Sequence, residues 1–264
     1  MCGAARVETC RRHVSTMTCM KTEQRFPELD ALRGIAVWMM VTYHLLFDLT
    51  YFYDFAIPIY DGGWRIFARS AAALFLLLVG ICFVISWERS PIYKKYFRRG
   101  LIIFCGGMLI SLVTYFIAPH AYVRFGILHL IGVSALLQPF FVRLKQWNLP
   151  LGFFIIFLSL SIFLRGSETR ATIPAFLGLP LGLTPPASSL DYFPLFPWLG
   201  VILIGMSIGK MLYIPSRRLF LRTFDQVPFP RLLLWSGKRS LWIYFLHQPI
   251  LFALLSLALG IPMR

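Results

Sequence analysis

The chain is divided into apolar runs of about 16–24 residues, separated by short polar, proline or glycine turns. A helix of about 20 apolar residues crosses the roughly 30 Å hydrocarbon layer of a bilayer, so runs of this length leave few folds open. Lipid offers no hydrogen-bond partners, and a spanning segment must satisfy its backbone as a helix or as part of a closed barrel. The period-two alternation of a barrel strand is absent. The fold class predicted is an all-α integral membrane protein, a helical bundle of about seven transmembrane helices over 31–53, 64–87, 100–118, 124–142, 149–164, 192–212 and 240–261. Charged residues make up only 14%, against about a quarter in soluble domains.

A formal net charge of +15 would suggest nucleic acid in a soluble protein. Here the cations follow the loops. With the N-terminus in the cytoplasm, the inner segments hold 20 of the Lys and Arg residues and the outer ends hold 6. The positive-inside rule then places the N-terminus cytoplasmic and, with an odd span number, the C-terminus outside. No nucleic-acid partner is expected. The membrane expected is the plasma membrane of a prokaryote. Residues 1–25 are basic with no apolar signal core and read as a disordered or mis-started leader, with Met17 and Met20 as alternative starts. Residues 26–264 read as one transmembrane domain.

Five cysteines include no CxxC pair, so neither metal nor disulfide is expected. Cys82 and Cys105 fall inside predicted spans and read as small core fillers. The apolar piece 173–183, within a proline-rich outer connection, is too short to cross and reads as interfacial or re-entrant.

Against this apolar background, a few polar side chains occur inside spans, where they are costly and face a protein interior or a watery cavity. His44 and Asp48 are four apart, one turn along the same helix face, a spacing that lets a carboxylate orient an imidazole for proton transfer. At 1.5 Å per residue His44 lies about 16 Å beyond Arg33 and His247 about 12 Å beyond Arg239. Arg69 and His129 each lie about 8 Å inside the outer starts of their spans. One cavity open to the outer side would gather His44, Asp48, Arg69, His129, His247 and Gln248. The plainer alternatives are that Arg69 snorkels to the surface, that His129 bonds a neighbouring helix, and that His247 serves backbone groups freed by Pro249. Gln138 reads as interhelical glue, and Asp191 as the cap of the span that follows it. At the inner side Arg33, Lys238 and Arg239 could meet an anionic group, with Gly34 allowing a close approach to Arg33.

Four stretches carry a resemblance. Leu32-Arg33-Gly34-Ile35-Ala36 leading to Tyr43-His44 resembles the first helix of membrane-bound acyltransferases. Phe125-Gly126-Ile127-Leu128-His129-Leu130-Ile131-Gly132 follows, then Asp191-Tyr192-Phe193-Pro194 with Pro197-Trp198-Leu199-Gly200. The last is Gly237-Lys238-Arg239-Ser240-Leu241 with Tyr244-Phe245-Leu246-His247-Gln248-Pro249. Together they resemble the bacterial and archaeal branch of the heparan-alpha-glucosaminide N-acetyltransferase catalytic-domain family.

The resemblance implies an acyltransferase moving an acetyl group from cytoplasmic acetyl-CoA to a sugar hydroxyl or amine at the outer side. It implies His44 as base with Asp48. It also implies Arg69, His129, His247 and Gln248 at the acceptor or oxyanion, and Arg33, Lys238 and Arg239 on the coenzyme phosphates. The lysosomal enzyme of the family has its proposed catalytic histidine in the turn after the first helix; here that turn, 59–64, holds none, so an acetyl-histidine intermediate there is not expected. The partners implied are the bilayer, acyl-CoA and a carbohydrate acceptor, with a homodimer as a further expectation. The competing readings are a transporter or flippase using the same intramembrane His, Asp and Arg without covalent chemistry, and a non-catalytic membrane subunit.

Overall fold

The computed structural model describes residues 26–59, 61–164, 175–183, 186, 188–213 and 229–260. The 1–25 leader and the start of the 173–183 piece lie outside the described residues. Among those described there are only helices and turns, apart from one bridge between Phe125 and Tyr192. The helices are α1 (Pro27–Tyr53), α2 (Gly62–Arg89), α3 (Tyr93–Ile117), α4 (Ile127–Phe141), α5 (Asn148–Leu164), α6 (Ala175–Leu181), α7 (Leu195–Tyr213), α8 (Arg231–Lys238) and α9 (Ser240–Leu259).

Six stretches are long and apolar enough to cross a membrane, and the fourth, Ile127–Leu164, is 38 residues long. Straight, it would measure about 57 Å, far more than a bilayer core. It is not straight. The 3₁₀ turn Val142–Trp147, with Lys145 at φ 52° and ψ −117°, separates α4 from α5. The Val142 carbonyl takes a hydrogen bond from Lys210 Nζ (2.6 Å) near the end of α7. Ten residues later Gly152 packs against Gly200, near the start of α7. The chain has doubled back along α7, and this reversal accounts for the difference from the seven spans predicted. Two shorter elements also refine the sequence reading. The last span is preceded by the short helix α8, and in the apolar piece 173–183 the described residues form the seven-residue α6.

Apolar area alone does not join helices in lipid; close backbone approach and van der Waals contact do. Small residues mark the seams. A side chain at Gly80 or Gly205 would land on the backbone of the facing helix in the α2–α7 pair, and Gly152 and Gly200 do the same for α5–α7. Leu76, Leu130, Ile202, Leu203 and Met206 fill the centre between α2, α4 and α7. The outward faces of α3, α5 and α9 expose Leu109, Phe116, Phe157, Leu160, Trp242 and Leu257. That surface suits acyl chains.

At one end of the bundle the segment before α7 is laced to the segment before α4. The Leu190 N–H donates to the Ala121 carbonyl (2.7 Å) and the Phe193 N–H to the Phe125 carbonyl (2.8 Å). Ser188 and Ser189 hydroxyls donate to the carbonyls of His120 and Tyr122. This strap fixes the first turns of α4 and α7 relative to each other.

Candidate active site

A cavity of about 280 Å³ lies between α1, α2, α3, α4 and α9. Its polar residues cluster at one end of the bundle: Arg33 near the start of α1, Ser86 near the end of α2, Tyr96 and Arg99 at the start of α3, Gln138 near the end of α4, and Ser240 at the start of α9. Its far end is apolar, with Phe75 and Leu128, and is walled by Tyr244. Arg33 is held in place by Asp30 Oδ1 (2.9 Å) and by the Cys82 sulfur. Cys82 thus lines the cavity and also packs against Leu29, Leu78 and Ile81, whereas Cys105 is exposed and is not the core filler predicted. Arg99, which the sequence showed only as one more basic residue beside a span, stands with Arg33 at this mouth.

Beyond Tyr244 the cavity wall passes into a polar cluster shared by α1 and α9. The Tyr244 and His247 rings lie 5.5 Å apart, and the His247 and His44 rings meet edge to face at 4.8 Å. His44 and His247, remote in sequence, are therefore neighbours. Each ring is oriented by its own helix: His44 Nδ1 donates to the Met40 carbonyl (2.9 Å) and His247 Nδ1 to the Tyr244 carbonyl (2.7 Å). In neutral imidazoles this leaves the Nε2 lone pairs available. His247 is buried, and its Nε2 has no partner among the described residues.

Asp48 does not orient His44, although the spacing suggested it. Its Oδ1 receives Gln248 Nε2 from α9 at 3.5 Å, and its buried Oδ2 has no partner among the described residues. The i, i+4 relation puts both side chains on one face. The carbonyl of Met40, one turn back, is nearer to the imidazole than the carboxylate one turn forward.

The other predicted members are not gathered here. Arg69 is exposed on the early turns of α2, consistent with the snorkelling alternative. His129 is buried at the start of α4, between Phe104 and Phe125. Its Nδ1 accepts the Gly126 N–H (3.2 Å), and its Nε2 faces Ser111 Oγ (3.5 Å). It closes the helix end, where N–H groups lack intrahelical partners.

Lys238 and Arg239 are exposed at the α8–α9 joint, two residues and one residue before Ser240, with Arg239 over the Trp235 ring. The space beside Gly34 is occupied by α8: a side chain there would strike the Leu233 carbonyl and Ser236 Oγ. Gly237 meets the Asp30 backbone in the same way. Gly34 thus serves helix packing instead of the approach to an anion.

Asp191 caps α4, not α7: its Oδ2 accepts the Ile127 N–H (3.1 Å) from 64 residues away. Burial pushes its carboxyl up to about 6, and the Ile127 hydrogen bond opposes that rise. Gln138, predicted as glue, is buried in the cavity wall, and its Nε2 has no partner among the described residues.

Helices fit for a membrane and a basic-mouthed hollow leading to paired imidazoles define a multi-pass membrane protein with the equipment for proton transfer. The profile described as "Heparan-alpha-glucosaminide N-acetyltransferase, catalytic" matches residues 25–249. The chain belongs to this family, and membership makes it a transmembrane acetyltransferase. No curated protein and no solved structure matches it. Groups of three or more potential metal ligands are not found among the described residues.

Proposed function

We propose that the chain transfers an acetyl group from acetyl-CoA, admitted at the Arg33 end, to a sugar hydroxyl or amine arriving from the opposite side. The observation that carries this reading is the unpartnered Nε2 of His247, edge-on to His44, behind a cavity with two arginines at its mouth. A volume of about 280 Å³ suits a slender arm and not a nucleotide as well. The nucleotide phosphates would stay at the rim, near Arg33, Arg99, Lys238 and Arg239, where guanidinium groups bind phosphate in bidentate fashion. The excess of Lys and Arg on the N-terminal side makes that rim cytoplasmic.

Acetyl-CoA supplies an activated thioester. His247 Nε2 takes the proton of the acceptor hydroxyl or amine as that oxygen or nitrogen attacks the acetyl carbonyl. The carbon–sulfur bond breaks, an ester or amide forms, and the departing thiolate recovers the proton from His247. The π face of the adjoining imidazole favours the ring that carries the charge. Asp48 Oδ2 accepts a hydrogen bond from a second O–H or N–H of the acceptor, and Gln248 holds the carboxylate to α9.

The test uses purified protein in lipid nanodiscs with acetyl-labelled acetyl-CoA and a panel of neutral and amino sugars. Label appearing on a sugar, with one free thiol released per transfer, is expected. Sugar flux in reconstituted vesicles without consumption of acetyl-CoA would replace this reading with the transporter.

A further inference from the structure

We propose that Gln138 is the residue that recognises the amide-bearing arm of the acyl donor, so that this protein selects its donor by the pantetheine amides inside the cavity. The inference rests on the donor being acetyl-CoA, as proposed above. Leu128, Ile131, Ala135 and Gln138 all line the cavity, and their spacing places them on one face of α4. Three of them are apolar. The fourth is a carboxamide that is 2% exposed, with an Nε2 that no described residue engages. A buried amide without a partner is unfavourable, and a ligand that completes it is correspondingly favoured.

The next residue adds a second feature. Pro139 lies inside α4 and has no N–H to give to the carbonyl four residues back, which is that of Ala135. The cavity wall therefore offers, one turn apart, a carboxamide and a main-chain carbonyl released from its usual intrahelical partner. A secondary amide gives one N–H and takes one hydrogen bond, which is the complement of that pair. Of the parts of acetyl-CoA, the pantetheine arm carries two secondary amides and the nucleotide none. Gln138 stands with Arg33 and Arg99 at the polar end of the cavity, through which an arm must pass to reach the imidazole pair.

The experiment measures binding to the full chain in nanodiscs, using desulfo-coenzyme A, an analogue of it with the arm amides replaced by esters, and adenosine 3′,5′-bisphosphate. Gln138→Met keeps length and volume and removes the hydrogen-bonding group. Desulfo-coenzyme A is expected to bind the variant about tenfold more weakly than wild type. Adenosine 3′,5′-bisphosphate is expected to bind both alike. The ester analogue should bind wild type more weakly by a similar factor and lose nothing further in the variant. Unchanged binding of desulfo-coenzyme A to Gln138→Met, or equal losses for all three probes, would overturn the inference. Should the variant fail to fold, the wild-type comparison of amide and ester ligands decides alone, equal affinity overturning it. Wild-type protein that binds no coenzyme A derivative would remove the proposed donor itself.

Discussion

His129 and His247 are both buried histidines in apolar helices, the first at a helix start and the second inside its helix, and the structure treats them in opposite ways. His129 uses both nitrogens: Nδ1 takes the Gly126 N–H, and Nε2 faces Ser111. His247 uses one, on a carbonyl of its own helix, and leaves the other buried beside a second imidazole with no partner among the described residues. Burial of an ionisable side chain in a span is thus an insufficient sign of chemistry. The informative quantity is what remains unsatisfied after the fold has taken its share, because an orphaned buried group is costly to keep unless a ligand completes it.

The contrast makes its sharpest demand on activity. His247→Ala is expected to lower acetyl transfer by about a hundred- to ten-thousandfold, the usual worth of a positioned base, while desulfo-coenzyme A binding stays within about threefold. His129→Ala should reduce the turnover of folded protein by less than about threefold. Comparable losses of turnover in both variants would dissolve the distinction.

A second demand falls on the scaffold that holds the α1 half of the pair. Gly34→Val would force the α8 backbone away from α1, and overpacking of this kind costs about 3 kcal/mol. The expected outcome is a marked fall in thermal stability, with loss of desulfo-coenzyme A binding as Arg33 shifts. An unchanged melting profile would show that α8 is not docked as described.

For His129 the effect belongs in stability. His129→Ala leaves the Gly126 N–H at the α4 terminus without its acceptor, at a cost of about 1–2 kcal/mol. A lowered melting temperature checks this.

The smallest effect concerns Asp191, which caps the same helix from the strap before α7. Its carboxyl rises from 3.8 to about 6 through burial, so between those pH values the folded chain holds a proton that the unfolded chain releases. Folding is favoured on the acid side, and this advantage is lost as pH rises through 6. Asp191→Asn keeps an acceptor for Ile127 and removes the charge. It should raise the melting temperature at neutral pH by about 3 °C and flatten its fall between pH 4 and 6. A pH dependence identical to wild type would place the proton elsewhere.

Some of the site was legible in the residues. His44, Asp48, His247 and Gln248 were recognisable as polar groups in lipid-length runs, and they do come together on α1 and α9. Arg69 and His129 were read into the same hollow because depth along a helix can be counted from the chain. Direction around it cannot, until the neighbouring helices are known. Asp191 was assigned to the helix beside it in sequence, whereas a strap of main-chain hydrogen bonds delivers it to α4. Gln138 was indistinguishable from an ordinary interhelical polar residue, since being unpartnered is a property of its surroundings.

The sequence by itself determined that this is a multi-helix membrane protein and which family it belongs to. Lipid leaves an apolar run of about 20 residues little choice but to be a helix, and the family's blocks are linear. The tertiary structure decided which buried polar groups meet, which are spent on helix ends and which remain available. Those outcomes depend on helix rotation and on close backbone contact at residues such as Gly34 and Gly237, set by packing between segments far apart in the chain.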